Sequence, residues 1–139
     1  MPLTHSEDIR KILTEARTIA VVGYSNRPDR PSYGVAHALI ADGYDVYFVN
    51  PTLQSTPDAP IYASLADVPV PIDIVDIFRR PDAVPEVVEQ AIAVGAKVVW
   101  MQMGIVNDEA ADRAEQAGLK VVMDRCTKVE FARLIGARR

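Results

Sequence analysis

Residues Ile19 to Val22 form a short apolar run, bounded by Thr18 before it and Gly23 after it. A run that is apolar at consecutive rather than alternate positions suits a strand covered on both faces, as in a parallel sheet. Gly23 lets the chain turn sharply and lets a ligand come close to the backbone. A basic, proline-rich loop follows. Beyond it Val35, Ala36, Leu39 and Ile40 keep helical spacing, so a helix starts at Ser32 or at Pro31 beside it. A helix N-terminus aimed out of the carboxyl end of a strand offers free N–H groups and the positive end of the helix dipole, and both favour phosphate. Arg27 and Arg30 add charge in the same loop. This stretch predicts a nucleotide-type phosphate site.

The same strand-then-helix unit recurs. Asp45 to Val49, Asp73 to Ile77, Lys97 to Met101 and Lys120 to Met123 read as further strands, with a very short one at Ile61-Tyr62. Between them lie helical faces: Ile9, Ile12, Leu13 and Ala16; then Val84, Val87, Val88, Ala91 and Ile92; then a helix opened by Asn107; then a short last helix from Lys128 to Ile135. Thr4 and Glu7 have the spacing of a capping box for the first helix, Pro81 suits a first helical position, and Gly43, Gly95 and Gly118 end helices. Thr52 to Pro60 reads as a loop. Alternation at this spacing predicts an α/β fold: one domain, residues 1–139, with a doubly wound parallel sheet of about six strands in the Rossmann-like order 3-2-1-4-5-6.

Composition narrows the function classes. Of the 139 residues 49% are hydrophobic and 24% charged, an ordinary globular balance, and the formal charge of −4 argues against a general nucleic-acid binder. A single cysteine rules out a disulfide framework and a multi-cysteine metal site. The first ten residues carry no apolar signal core, and no apolar run approaches the roughly 20 residues of a membrane helix. The expected location is the cytoplasm, with no membrane contact.

In such sheets ligands bind outside the carboxyl ends of the strands. There the sequence places Gly23, Ser25, Asn26, Arg27, Arg30, Pro31 and Ser32; Asn50 and Pro51; Phe78, Arg79 and Arg80; Gln102, Met103 and Gly104; and Asp124, Arg125, Cys126 and Lys128. The set is basic, with one aromatic ring and several amides, and suits a phosphorylated ligand with a flat ring. Arg79 and Arg80 stand before a helix start, where cations oppose the dipole, so a bound anion would rationalise them. Phe78 serves either as core or as a wall for the ring. Trp100 reads as sheet packing and Met101 and Met103 as fillers, whereas Gln102 and Gly104 read as ligand neighbours. No Ser-His-Asp order, HExxH or metal cluster is present, and His5 and His37 fall outside the set, so no catalytic residue is assigned. A dinucleotide reading meets two objections. The first turn is not G-x-G-x-x-G, and Asn50 stands where NAD binders place an acid. NADP is less strongly excluded, because arginines suit a 2′-phosphate.

The ordered set Ile19-Ala20-Val21-Val22-Gly23-Tyr24-Ser25, Arg30-Pro31-Ser32, Val49-Asn50-Pro51, Val75-Asp76-Ile77-Phe78-Arg79-Arg80-Pro81, Trp100-Met101-Gln102-Met103-Gly104 and Asp124-Arg125-Cys126 spans nearly the whole chain. It resembles the small stand-alone CoA-binding proteins. Their fold is similar to the CoA-binding domain of the succinyl-CoA synthetase α-subunit and of NDP-forming acyl-CoA synthetases. The resemblance implies that coenzyme A or an acyl-CoA binds across the carboxyl ends. Phosphates would lie in the loop from Gly23 to Ser32, Asn50 and Pro51 on the nucleotide side, Phe78 and Arg79 beside the ligand, and Gln102 to Gly104 along the pantetheine arm. The synthetases phosphorylate a histidine supplied by a second domain, and no such domain is expected in these 139 residues. The resemblance therefore supports binding rather than ligation. Cys126 is either a small packed side chain or a thiol able to form a mixed disulfide with CoA. Two rivals remain: an NADP-dependent oxidoreductase, and an interaction module that carries CoA to a partner acyl-CoA synthetase. A homodimer through apolar helix faces is the expected candidate assembly.

Overall fold

Thr18–Val22 is buried along its whole length, and that burial sets the architecture. In the computed structural model, which describes residues 1–136, this strand (β1) pairs in parallel with Asp45–Val49 (β2) on one side and Ile74–Ile77 (β4) on the other. Ile61–Tyr62 (β3), Val98–Met101 (β5) and Lys120–Val122 (β6) complete a six-stranded, all-parallel sheet in the order β3-β2-β1-β4-β5-β6. A strand buried on both faces has no polar side to alternate, which is why β5 and β1 beyond Thr18 read as unbroken apolar runs and β4 departs from one only at Asp76. The sequence reading of this order holds, the two-residue β3 included.

Helices Ser6–Glu15 (α1), Pro31–Ala41 (α2) and Thr127–Leu134 (α5) cover one face, where Ile19, Val21, Ile74 and Trp100 meet Ile9, Leu13, Leu39 and Phe131. Val84–Ala93 (α3) and Asp108–Gln116 (α4) cover the other, over Ala20, Val75, Ile77, Met101 and Val121. Val87, Val88 and Ala91 recur at helical spacing on α3, and Ala110, Ala111 and Ala114 on α4, so each helix turns one stripe to the sheet. Asn107 caps α4, its Oδ1 accepting from the Ala110 N–H at 2.9 Å.

The first helix departs from expectation. It starts at Ser6 with His5 as its flanking residue and no side-chain cap, so Thr4 and Glu7 form no capping box. The segment before it is held to the sheet instead: the Leu3 N–H donates to the Val121 carbonyl at 2.8 Å, and Glu7 turns to Arg10. Tethering of residue 3 to β6 leaves Thr4 one position short of the cap.

Candidate functional site

At the carboxyl end of β1, Gly23 adopts φ +85°, and a Cβ there would lie 2.4 Å from the Phe78 carbonyl oxygen. Glycine is what lets the loop after β1 and the loop after β4 touch. The same N–H that a ligand could approach is tied down, since Gly23 N donates to the Val49 carbonyl at 2.9 Å. The loop after Gly23 is braced from within. Ser32 Oγ accepts from Ser25 N at 3.0 Å, and Ser25 Oγ accepts from Arg27 N at 3.2 Å. Helix α2 opens at Pro31 with Arg30 flanking it, so Ser32 lies in the first turn and is itself buried. In that turn Pro31 has no N–H and the N–H groups of Tyr33 and Gly34 donate to the Arg30 carbonyl at 3.1 and 3.3 Å, which leaves the N–H of Ser32.

These elements wall a cleft of about 710 Å³. The loop after β1 and the start of α2 contribute Gly23, Ser25, Arg27, Arg30, Pro31, Ser32 and Val35. The loop after β4 contributes Phe78 and Arg79, the loop after β5 contributes Gln102, Met103 and Ile105, and the start of α5 contributes Cys126 and Val129. Most of the residues named from sequence thus come together. Asn26, Asn50, Pro51, Arg80 and Gly104 do not line it. Asn50 is a loop-builder: its Nδ2 donates to the Tyr24 carbonyl at 2.9 Å, and its Oδ1 accepts from both the N–H and the hydroxyl of Thr52 at 2.8 Å. Pro51 lines a small adjoining hollow of about 80 Å³ that shares Gly23 and Arg79 with the cleft. Arg80 turns to Asp82. Gly104, at φ +85°, donates its N–H to Asp124 Oδ1 at 2.7 Å and so ties the β5 loop to the β6 loop.

The charges of the cleft are uneven. Arg27 lies 3.7 Å from Asp29, but Arg30 and Arg79 form no ion pair among the described residues. Met103 and Val129, which also line the cleft, are 64% and 49% exposed and give it an apolar lip. Val35, Ile105 and Val129 escaped the sequence reading because each sits on a helix or loop position that reads as packing.

Asp76 escaped it too, although an acid inside the run Ile74-Val75-Asp76-Ile77 was a legible signal. It is fully buried on β4, hydrogen-bonded to Gln102 and Thr127. Burial pushes its carboxyl up to about 7, against the pull of those two partners. Trp100, fully buried, donates its indole N–H to the Arg125 carbonyl at 2.8 Å. His37 lies outside the cleft, its Nε2 3.0 Å from the Tyr24 hydroxyl. Among the described residues no three His, Cys, Asp or Glu side chains are grouped to hold a metal, and no helix is long and apolar enough to cross a membrane. The arrangement suits capture of an elongated anion with an apolar end.

Known proteins carry the same architecture. The chain is 42% identical over 125 residues to the uncharacterized protein YneT of Bacillus subtilis (strain 168), covering 90% of this chain and 93% of that one. A hypothetical protein from Pyrococcus horikoshii OT3 superposes with a TM-score of 0.92 at 44% identity, over 98% of this chain and 97% of that one. The dinucleotide-forming acetyl-coenzyme A synthetase 1 of Ca. Korarchaeum cryptofilum, in its apo form, contains a similar unit. It matches with a TM-score of 0.68 at 25% identity, over 77% of this chain but 26% of the synthetase. The family described as CoA binding domain matches residues 17–132, which include every strand and every residue of the cleft, and the chain belongs to that family.

Proposed function

We propose that this protein binds coenzyme A or an acyl-CoA non-covalently in the cleft, as a carrier, a sensor or a detached subunit of an acyl-CoA synthetase. The observation that carries the reading is the pair Arg30 and Arg79, two guanidinium groups without ion-pair partners among the described residues, lining a cleft together with the apolar Val35, Phe78, Met103 and Val129. Phosphates at the arginines and the first turn of α2 would leave the thiol arm to run past Gln102 towards Met103 and Val129. Phe78 and Pro51 are the apolar walls offered to the adenine. That a similar unit occupies about a quarter of an acetyl-CoA synthetase supports a role beside such an enzyme.

Calorimetric titration of the reduced protein with CoA, NADP and 3′-phospho-ADP tests the reading. CoA should bind saturably and more weakly as salt rises, and Arg30→Ala or Arg79→Ala should each weaken it about tenfold while leaving the melting temperature nearly unchanged. Binding of NADP with none of CoA would replace the reading by that of an oxidoreductase.

A further inference from the structure

Three side chains from three elements close a ring under the floor of the cleft. Asp76 Oδ1 accepts from Gln102 Nε2 at 2.6 Å, Asp76 Oδ2 accepts from Thr127 Oγ1 at 2.9 Å, and Gln102 Nε2 also donates to Thr127 Oγ1 at 2.9 Å. All three residues are buried. A carboxylate only accepts, so each neighbour must turn a donor towards it. Thr127 spends its one hydroxyl proton on Asp76, and Gln102 spends both Nε2 protons inside the ring. What is left of Gln102 is Oε1. It accepts no hydrogen bond from the described residues, yet no fully buried side-chain oxygen or nitrogen among them lacks a partner, so Oε1 opens on the cleft that Gln102 lines.

We propose that Asp76 is a positioning residue that locks the Gln102 amide with its carbonyl oxygen facing the cleft, so that this wall selects a ligand arm that donates a hydrogen bond, such as a secondary amide N–H. The inference rests on the reading of the cleft as a CoA site, the thiol-bearing arm of CoA carrying secondary amides.

The lock is tightest with the negative charge. A reversed Gln102 would keep one of the three hydrogen bonds beside a carboxylate and two beside a neutral acid or an asparagine, which offers a donor as well as an acceptor, so neutralising position 76 makes it easier for the Gln102 NH₂ to turn to the cleft. With the carboxyl pushed up to about 7, both states are reached near neutrality. Among the described residues no neighbouring charge holds Asp76 in one of them. On α5 Glu130 is taken by Arg125 and Arg133, on α2 His37 meets the Tyr24 hydroxyl, and Cys126 and Lys128 on either side of Thr127 form no hydrogen bond to Asp76. Its register partners on β1 and β5 are Val21 and Trp100.

The test compares CoA with 3′-phospho-ADP, which keeps the phosphates but lacks the arm. Wild type and Asp76→Asn are titrated at about pH 8 and about pH 6, and the side-chain amide of Gln102 is followed by nitrogen-15 NMR in the ligand-free protein. The expected result is a Gln102 NH₂ protected from exchange in wild type at the higher pH. CoA should bind Asp76→Asn about two- to threefold more weakly while the affinity for 3′-phospho-ADP stays unchanged, and wild type should show the same selective loss at the lower pH. A freely exchanging Gln102 NH₂, an unchanged CoA affinity in the variant, or equal weakening of both ligands would overturn the lock. Silence of wild type towards both ligands would instead overturn the CoA reading, while the spectra still decide the orientation of Gln102. If Asp76→Asn does not fold, the wild-type ratio of the two affinities carries the test, and a ratio constant with pH overturns the proposal.

Discussion

Asp73 and Asp76 stand three residues apart at the two ends of β4, and their environments are opposite. Asp76, at the carboxyl end, is buried among apolar strands, and burial raises its carboxyl to about 7. Asp73 is at the amino end. Partial burial pushes its carboxyl up as well, but the N–H groups of Arg17 and Thr18, at 2.7 and 3.0 Å, together with the Lys97 ammonium, outweigh that and hold it below the ordinary carboxylate range. The cavities beside them differ in the same way. The cleft at the carboxyl end, about 710 Å³, faces the start of α2 and two arginines without ion-pair partners among the described residues. The cavity at the amino end, about 520 Å³, is lined by Glu15, Gly95 and Gly118 at or just past the ends of α1, α3 and α4, and its Asp73 is already paired with Lys97. Helix ends of that polarity repel anions, and a satisfied carboxylate needs no ligand. Volume therefore does not distinguish the two ends; the direction of the helices and the pairing of the charges do.

The most damaging way to disturb the functional end is Gly23→Ala. It combines a left-handed φ with a Cβ 2.4 Å from the Phe78 carbonyl. A loss of about 3 kcal/mol in denaturant unfolding, accompanied by loss of CoA binding, is expected. At the structural end, Asp73→Ala strands the N–H groups of Arg17 and Thr18 and should cost about 1–3 kcal/mol with no change in the CoA dissociation constant. A change in affinity there would show that the two ends are coupled.

Stability against pH sharpens the contrast further. The contribution of Asp76 is full below its ordinary value of 3.8 and is lost as pH rises through about 7. That of Asp73, whose carboxyl is depressed, is present above 3.8 and is lost as pH falls through its lowered value. Melting curves from acid to neutral pH should thus gain stability at neutral pH in Asp76→Asn relative to wild type, and lose their acid-side decline in Asp73→Ala. The smallest effect belongs to Lys97→Ala, which removes a 3.4 Å ion pair with a largely exposed lysine and should cost no more than about 0.5 kcal/mol.

How far these ends were legible follows from the range of the signals. Strand and helix periodicity is local, and it placed β1 and β2 to the residue; the sheet order came instead from the general topology of doubly wound βαβ folds, and it is the one observed. The rule that ligands gather at carboxyl ends then named most of the cleft. Asn50 and Gly104, which it also named, lie outside the cleft lining and build loops, because a residue just past a strand can be spent on the loop itself. It passed over Val129 and Ile105, whose exposure depends on what other loops leave uncovered.

The sequence by itself determined the parallel α/β architecture, the turn at Gly23 and the basic character of one end of the sheet, since each is written in neighbouring residues. Only the tertiary structure decided which arginines of the cleft lack ion-pair partners among the described residues, and that Asp76, Gln102 and Thr127 grip one another. Those pairings join residues 25 to 51 positions apart in the chain, and they exist only because β4, β5 and α5 are packed side by side.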